Sequence, residues 1–172
     1  MASLIENLIS VLEQEHSEYE TLLELSRKKS PVIIRGDIEQ LQKITDEEQN
    51  IIDRIHRLEG KREETIRDIA DVINKDVEQL KLDVLIRMLD KSPKEQKQLA
   101  LVHEKLKTTL PQMQNVNAQN KELLAEALEM VEFDMNLLQS MRRAPETANY
   151  NKGAYSAGSV IGTNRSGFDA KQ

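Results

Sequence analysis

Apolar residues recur at helical spacing in three long stretches of the chain, and the clearest runs from Ser92 to Met141. Leu99, Val102, Leu106, Met113, Val116, Leu124, Leu128, Val131, Met135 and Leu138 follow at steps of three, four, seven or eight, separated mainly by Lys, Glu, Gln and Asn. That is one stripe on a helix of period 3.6. Ser92-Pro93-Lys94-Glu95 marks its start: a capping serine, a proline at the first helical position and an acidic residue three after the cap. Unbroken, such a helix is on the order of 70 Å long at 1.5 Å per residue, so its stripe needs partner helices. Pro111 lacks an N–H, and the spacing predicts a kink there, because the stripe resumes beyond it in nearly the same phase.

The first stretch, Ser3–Arg35, carries Ile5, Leu8, Leu12, Tyr19, Leu22 and Leu23; Ser30-Pro31 disturbs it and Val32-Ile33-Ile34 continues it. Arg35-Gly36-Asp37 then reads as a helix stop and a helix start, with Gly36 at the left-handed position and Asp37 as N-cap. The same tripeptide spells a cell-adhesion motif, but an acidic chain without an apparent secretion signal makes it a turn. Asp37–Asn74 is the second stretch, with Ile44, Ile51, Ile52, Ile55, Leu58, Ile66, Ile69 and Ile73. Gly60 inside it points to close approach of a neighbouring helix, since a mid-helix glycine costs about 1 kcal/mol relative to alanine. Asp76-Val77-Glu78-Gln79 repeats the capping signal of Asp37, and Val77–Leu89 reads as one short helix in the second connection.

Three stripes joined by capping signals define an all-α chain: an elongated antiparallel three-helix bundle or coiled coil over residues 1–141. Residues 142–172 form a different region, holding four of the six glycines and three of the five aromatics, Tyr150, Tyr155 and Phe168. Arg142, Arg143, Lys152, Arg165 and Lys171 against Glu146 and Asp169 give it a net charge of +3. Such a segment buries too little surface to offset its ordering entropy, so the expectation is a flexible C-terminal tail that folds on a partner through its aromatics.

Composition narrows the function. A net charge of −6 argues against a nucleic-acid binder, which presents a basic face. The absence of cysteine excludes disulfides, thiol catalysis and Cys-ligated zinc. No apolar run exceeds four residues, and the opening Met-Ala-Ser-Leu-Ile-Glu-Asn-Leu lacks the basic and apolar regions of a secretion signal. The expectation is a cytoplasmic protein without membrane insertion.

Candidate chemistry is sparse. Glu13-x-x-His16 has the spacing of a ferritin-like metal bundle and Asp53-x-x-His56 imitates it, but His103 has no acid three before it. A di-iron site needs two such pairs and two further inward glutamates, so the chain is at best half equipped. Phosphate-binding glycine loops and a nucleophile elbow are missing. The reading is therefore a non-enzyme with no metal and no cofactor. What remains is a surplus of apolar residues late in the third stretch: Leu123, Leu124, Leu128, Met130, Val131, Phe133, Met135, Leu137 and Leu138 widen the stripe over much of the helix girth. An apolar face that adaptable methionines enrich suits either a bundle end or a bound helix.

The chain resembles the FlgN family of flagellar export chaperones over most of its length. The resemblance lies in Glu15-x-x-x-Tyr19-x-x-Leu22-Leu23, Gly36-Asp37-Ile38-Glu39-x-Leu41, Glu48-x-x-Ile51-Ile52, and Leu58-Glu59-x-x-x-Glu63 with Arg62 between. It continues in Asn117-x-x-Asn120-x-x-Leu123-Leu124, Tyr150-x-x-Gly153-x-Tyr155 and Phe168-Asp169-Ala170-Lys171. It implies a cytoplasmic, non-enzymatic helical chaperone that holds the amphipathic C-terminal helical segment of hook-associated (hook–filament junction) proteins. Such a chaperone prevents premature association and releases cargo at the flagellar export gate and its ATPase machinery. The expected cargo-binding residues are Leu124, Leu128, Val131, Met135, Leu138, Tyr150 and Tyr155, engaging a helix in a groove. A structural coiled-coil adaptor that self-associates through the same stripe is the alternative from another class, and flagellin or the filament cap are alternative cargoes. Oligomeric state stays open between monomer and dimer.

Overall fold

The computed structural model describes residues 2–148, with side chains through Arg142, and every regular element among them is helical. Three long helices, α1 (Ala2–Arg35), α2 (Ile38–Ile73) and α4 (Pro93–Ala148), are joined by a tight corner and by a longer connection. That connection holds a one-turn 3-10 helix, Val77–Gln79, and the short α3 (Leu82–Met88). The chain divides into two compact units, Met1–Ala127 and Leu128–Gln172, and α4 contributes to both.

The first unit is an up–down–up bundle. Glu15 pairs with Arg62, Glu18 with Arg54 and Lys29 with Glu48, so numbers rise on α1 as they fall on α2 and the two helices are antiparallel. Between α1 and α4 the offset is nearly constant instead: His16 meets Thr109, Ser26 and Ser30 meet Asn120. Those two helices are therefore parallel, with α2 antiparallel to both, as two consecutive reversals require.

Apolar burial is concentrated where α1 begins, α2 ends and α4 begins. Ile5, Leu8, Ile9 and Leu12 of α1 meet Ile69 and Ala70 of α2 and Leu99, Val102 and Leu106 of α4. Leu80 and Leu85 from the connection complete this core. Each fully buried leucine or isoleucine there contributes about 1.5–3 kcal/mol through area removed from water. A smaller core joins Leu22, Ile51 and Ile55, with Tyr19, Leu25, Ile52 and Met113 packed against it.

The junctions follow the local chemistry. Gly36 takes φ +68°. The Gly36 N–H donates to Ile33 O at 3.1 Å and the Asp37 N–H to Val32 O at 3.3 Å, which ends α1. Asp37 then caps α2, its Oδ1 accepting from the Gln40 N–H at 3.1 Å. Arg35-Gly36-Asp37 is thus the corner between two helices. Asn74 ends α2 in the left-handed region, and the Lys75 N–H closes onto Ala70 O at 3.0 Å. α1 runs through Pro31, and α4 runs through Pro111 without a break. Each proline removes one N–H bond and crowds the carbonyl four residues before it, and the apolar seam on either side holds the helix together.

Three expectations are corrected. Val77–Leu89 is not one helix: Leu80, φ −92° and ψ 63°, leaves helical geometry and sits 3% exposed in the main core. Asp76 makes no side-chain cap. Burying Leu80 outweighs continuing the helix, which restarts at Leu82. Gly60 does not mark a close approach, because a Cβ built there meets nothing within 4 Å. Finally, α4 continues past Met141 to Ala148. Its apolar stripe stops near Met141, and the added residues include Pro145, so neither an apolar seam nor helix propensity accounts for the extension.

Candidate binding surface

α4 changes character along its length. In the first unit its fully buried positions are Leu99, Val102, Leu106, Thr109 and Asn120. At 100° per residue they occupy an arc of roughly 80°, and half-buried residues such as Ala100, His103 and Leu123 flank it on both sides. In the second unit the large apolar residues from Leu128 to Met141 are all exposed. They spread over roughly 220° of the helix on the same wheel.

The expected cargo residues fall on this change. Leu124 is half-buried in the first unit. Leu128, Val131, Met135 and Leu138 are 65%, 53%, 56% and 60% exposed, and their 3-4-3 spacing puts them on one stripe. Tyr150 and Tyr155 lie outside the described residues. Sequence reasoning named Met130, Phe133 and Leu137 as part of the surplus without separating them from that stripe. With Met141 they form a second stripe, and Asp134 falls in the gap between the two. Angular position rather than a list of apolar residues was the signal that separates them.

Polar residues interrupt the seams of the first unit. Arg62 Nη1 donates to Glu15 Oε2 at 2.8 Å, and Glu15 is wholly enclosed. Burial, only partly offset by Arg62, raises its carboxyl above the usual value. The Tyr19 hydroxyl donates to Glu59 Oε1 at 3.3 Å. Burial first, then the charges of Glu59 and Glu15, push its phenol up to about 12. Farther along, Ser26 Oγ donates to Glu48 Oε1 at 3.1 Å and Lys29 Nζ to Glu48 Oε2 at 2.8 Å. Asn120 Nδ2 donates to Ser26 O at 2.7 Å, and Ser30 Oγ donates to Asn120 Oδ1. Glu15, Tyr19, Glu48, Glu59, Arg62 and Asn120 sit in the segments that carried the family resemblance, and with Ser26, Lys29 and Ser30 they fix helix register instead of forming a reaction centre.

The histidines are engaged the same way. His16 Nε2 lies 3.1 Å from Thr109 Oγ1, His56 Nδ1 3.1 Å from Glu59 Oε2, and His103 Nδ1 3.5 Å from Asp83 Oδ1. Among the described residues no group of three His, Cys, Asp or Glu is placed to hold a metal ion. The described helices also include none long and apolar enough to cross a membrane.

An all-helical bundle with an uncovered apolar helix segment has the makings of a helix-binding chaperone. The FlgN protein family model matches residues 1–156, and the chain belongs to that family, the non-enzymatic flagellar export chaperones of hook-associated proteins. No curated protein and no solved structure matches the chain.

Proposed function

We propose that this chaperone acts in the cytoplasm and takes the amphipathic C-terminal helical segment of a hook-associated protein onto the stripe Leu128, Val131, Met135 and Leu138. Tyr150 and Tyr155 add to the contact, and half-buried Leu124 borders it. The carrying observation is that four apolar side chains at 3-4-3 spacing stand more than half exposed. This is the complement of an amphipathic helix, whose own anchors recur at i, i+3, i+4 and i+7. Covering the cargo stripe keeps it from associating before export, and the loaded complex delivers it to the export gate and its ATPase machinery.

Calorimetric titration with a purified C-terminal segment of a hook-associated protein tests the reading. Leu128→Glu sets a charge against apolar cargo side chains, at a desolvation cost that exceeds the 1.4 kcal/mol equal to tenfold in affinity. Binding is expected to fall tenfold or more while the variant keeps its helicity. Undiminished binding by the folded variant overturns the proposal. Concentration-dependent self-association that Leu128→Glu abolishes, without cargo binding, supports the adaptor instead.

A further inference from the structure

One cargo helix leaves much of this surface open. Leu128, Val131, Met135 and Leu138 span roughly 80° of the α4 wheel, and Met130, Phe133, Leu137 and Met141 span roughly another 80° beyond Asp134. The second stripe is as open as the first, with Met130 69%, Phe133 65%, Leu137 49% and Met141 63% exposed. A helix lying on the first stripe faces an arc of about 100° and does not reach around to Phe133.

We propose that residues 149–172 of the same chain occupy this second stripe. The inference rests on the preceding reading only in leaving the first stripe to cargo. Charge is the first argument. Asp134 and Glu129 border the second stripe, and from Glu122 to Met141 α4 carries Glu122, Glu126, Glu129, Glu132 and Asp134 with no Lys or Arg. Residues 149–172 carry Lys152, Arg165 and Lys171 against Asp169 alone. Apolar content is the second, since Tyr150, Tyr155, Val160, Ile161 and Phe168 supply anchors of the kind an aliphatic and methionine-rich stripe accepts. Reach is the third. Ala148 lies roughly 27 Å along the helix from Met130, at 1.5 Å per residue. About eight extended residues cover that distance at 3.3 Å each, fewer than follow Ala148. Because the segment is tethered beside its site, its effective concentration is high, on the order of millimolar, and a weak contact suffices.

The segment then lies alongside bound cargo instead of competing with it.

Methionine methyl resonances separate the stripes, because Met130 and Met141 lie on the second and Met135 on the first. In the full chain labelled at methionine methyls, removing residues 149–172 is expected to shift the Met130 and Met141 signals and leave Met135 in place. Lys152→Glu with Arg165→Glu in the full-length chain, or added salt, is expected to move Met130 and Met141 in the same direction. A purified C-terminal cargo segment is expected to shift Met135 most. No movement at Met130 and Met141 on truncation, or movement centred on Met135, overturns the inference. If truncation moves Met130 and Met141 but cargo leaves Met135 unmoved, the inference stands and the cargo assignment fails.

Discussion

Arg62 reaches across from α2 to place Nη1 2.8 Å from Oε2 of Glu15, a carboxylate with no exposed surface on α1. The other carboxylate oxygen, Oε1, has no hydrogen-bond partner among the described residues. A buried charge with a single partner depends on that partner completely. Arg62→Met is expected to cost on the order of 3 kcal/mol, the low end of the range for breaking a buried pair, because the arginine is itself partly exposed. Glu15→Leu combined with Arg62→Met should recover that loss, since a packed apolar pair has no desolvation to offset. Urea unfolding of the two variants decides it, and a double variant no better than Arg62→Met alone refutes the account.

The same carboxylate gives a pH signature. Burial raises the Glu15 pKa in the folded state above its ordinary value of 4.5, so the folded chain holds that proton more tightly than the unfolded one. Its contribution to stability is complete below the ordinary carboxylate range and is lost as pH rises through the elevated folded pKa. Relative to Glu15→Gln, the native protein is therefore expected to lose stability on going upward from about pH 4.5, opposite to a salt-bridged carboxylate of depressed pKa. Tyr19 repeats the sign at the alkaline end: with its pKa pushed up from 10.0 to about 12, stability falls as pH rises through that interval. Tyr19→Phe should flatten that fall. Urea midpoints across both intervals measure the two differences.

Much of this fold was legible in the sequence, for local reasons. Gly36, Asp37 and Asn74 mark their helix ends because left-handed geometry and side-chain capping depend only on neighbouring residues. The break at Leu80 was not legible, because it is set by a core assembled from α1, α2 and α4. Glu15, Thr109 and Asn120 occupy stripe positions between apolar neighbours, and a polar residue there is the sequence sign of a cross-helix partner. Which partner could not be read, since that depends on α1 and α4 lying parallel. The candidate surface was legible as a surplus of apolar residues, but its separation into two stripes needed the wheel positions and exposures of Leu128 to Met141.

Two glycines should respond in opposite directions. A Cβ at Gly60 meets nothing within 4 Å, and the residue lies inside α2, so Gly60→Ala is expected to stabilise by about 1 kcal/mol through helix propensity and reduced unfolded-state entropy. Gly36 also has open space, but its φ of +68° is strained for an L side chain. Gly36→Ala is expected to destabilise by about 1 kcal/mol. Thermal melts of both variants compare them, and a loss at Gly60 would restore the close approach that a mid-helix glycine suggests.

Leu99 and Leu128 are the same residue type on the same helix, and their surroundings predict different costs on truncation. Leu99 is 0% exposed in the main core, touching the seam that α1, α2 and α3 complete. Leu99→Ala leaves a cavity that close-packed neighbours fill only partly, so the expected loss is about 2–5 kcal/mol. Leu128 is 65% exposed, and its side chain already meets water in the folded state. Leu128→Ala is expected to change stability by no more than about 0.5 kcal/mol. The cargo reading adds the converse expectation for affinity: Leu128→Ala removes an apolar anchor and weakens binding of the cargo segment. An equal loss of stability at the two positions would mean that Leu128 is covered in solution by the chaperone itself or by a second copy. Concentration dependence of the Leu128→Ala melt separates those two covers, because only a second copy makes the midpoint rise with protein concentration.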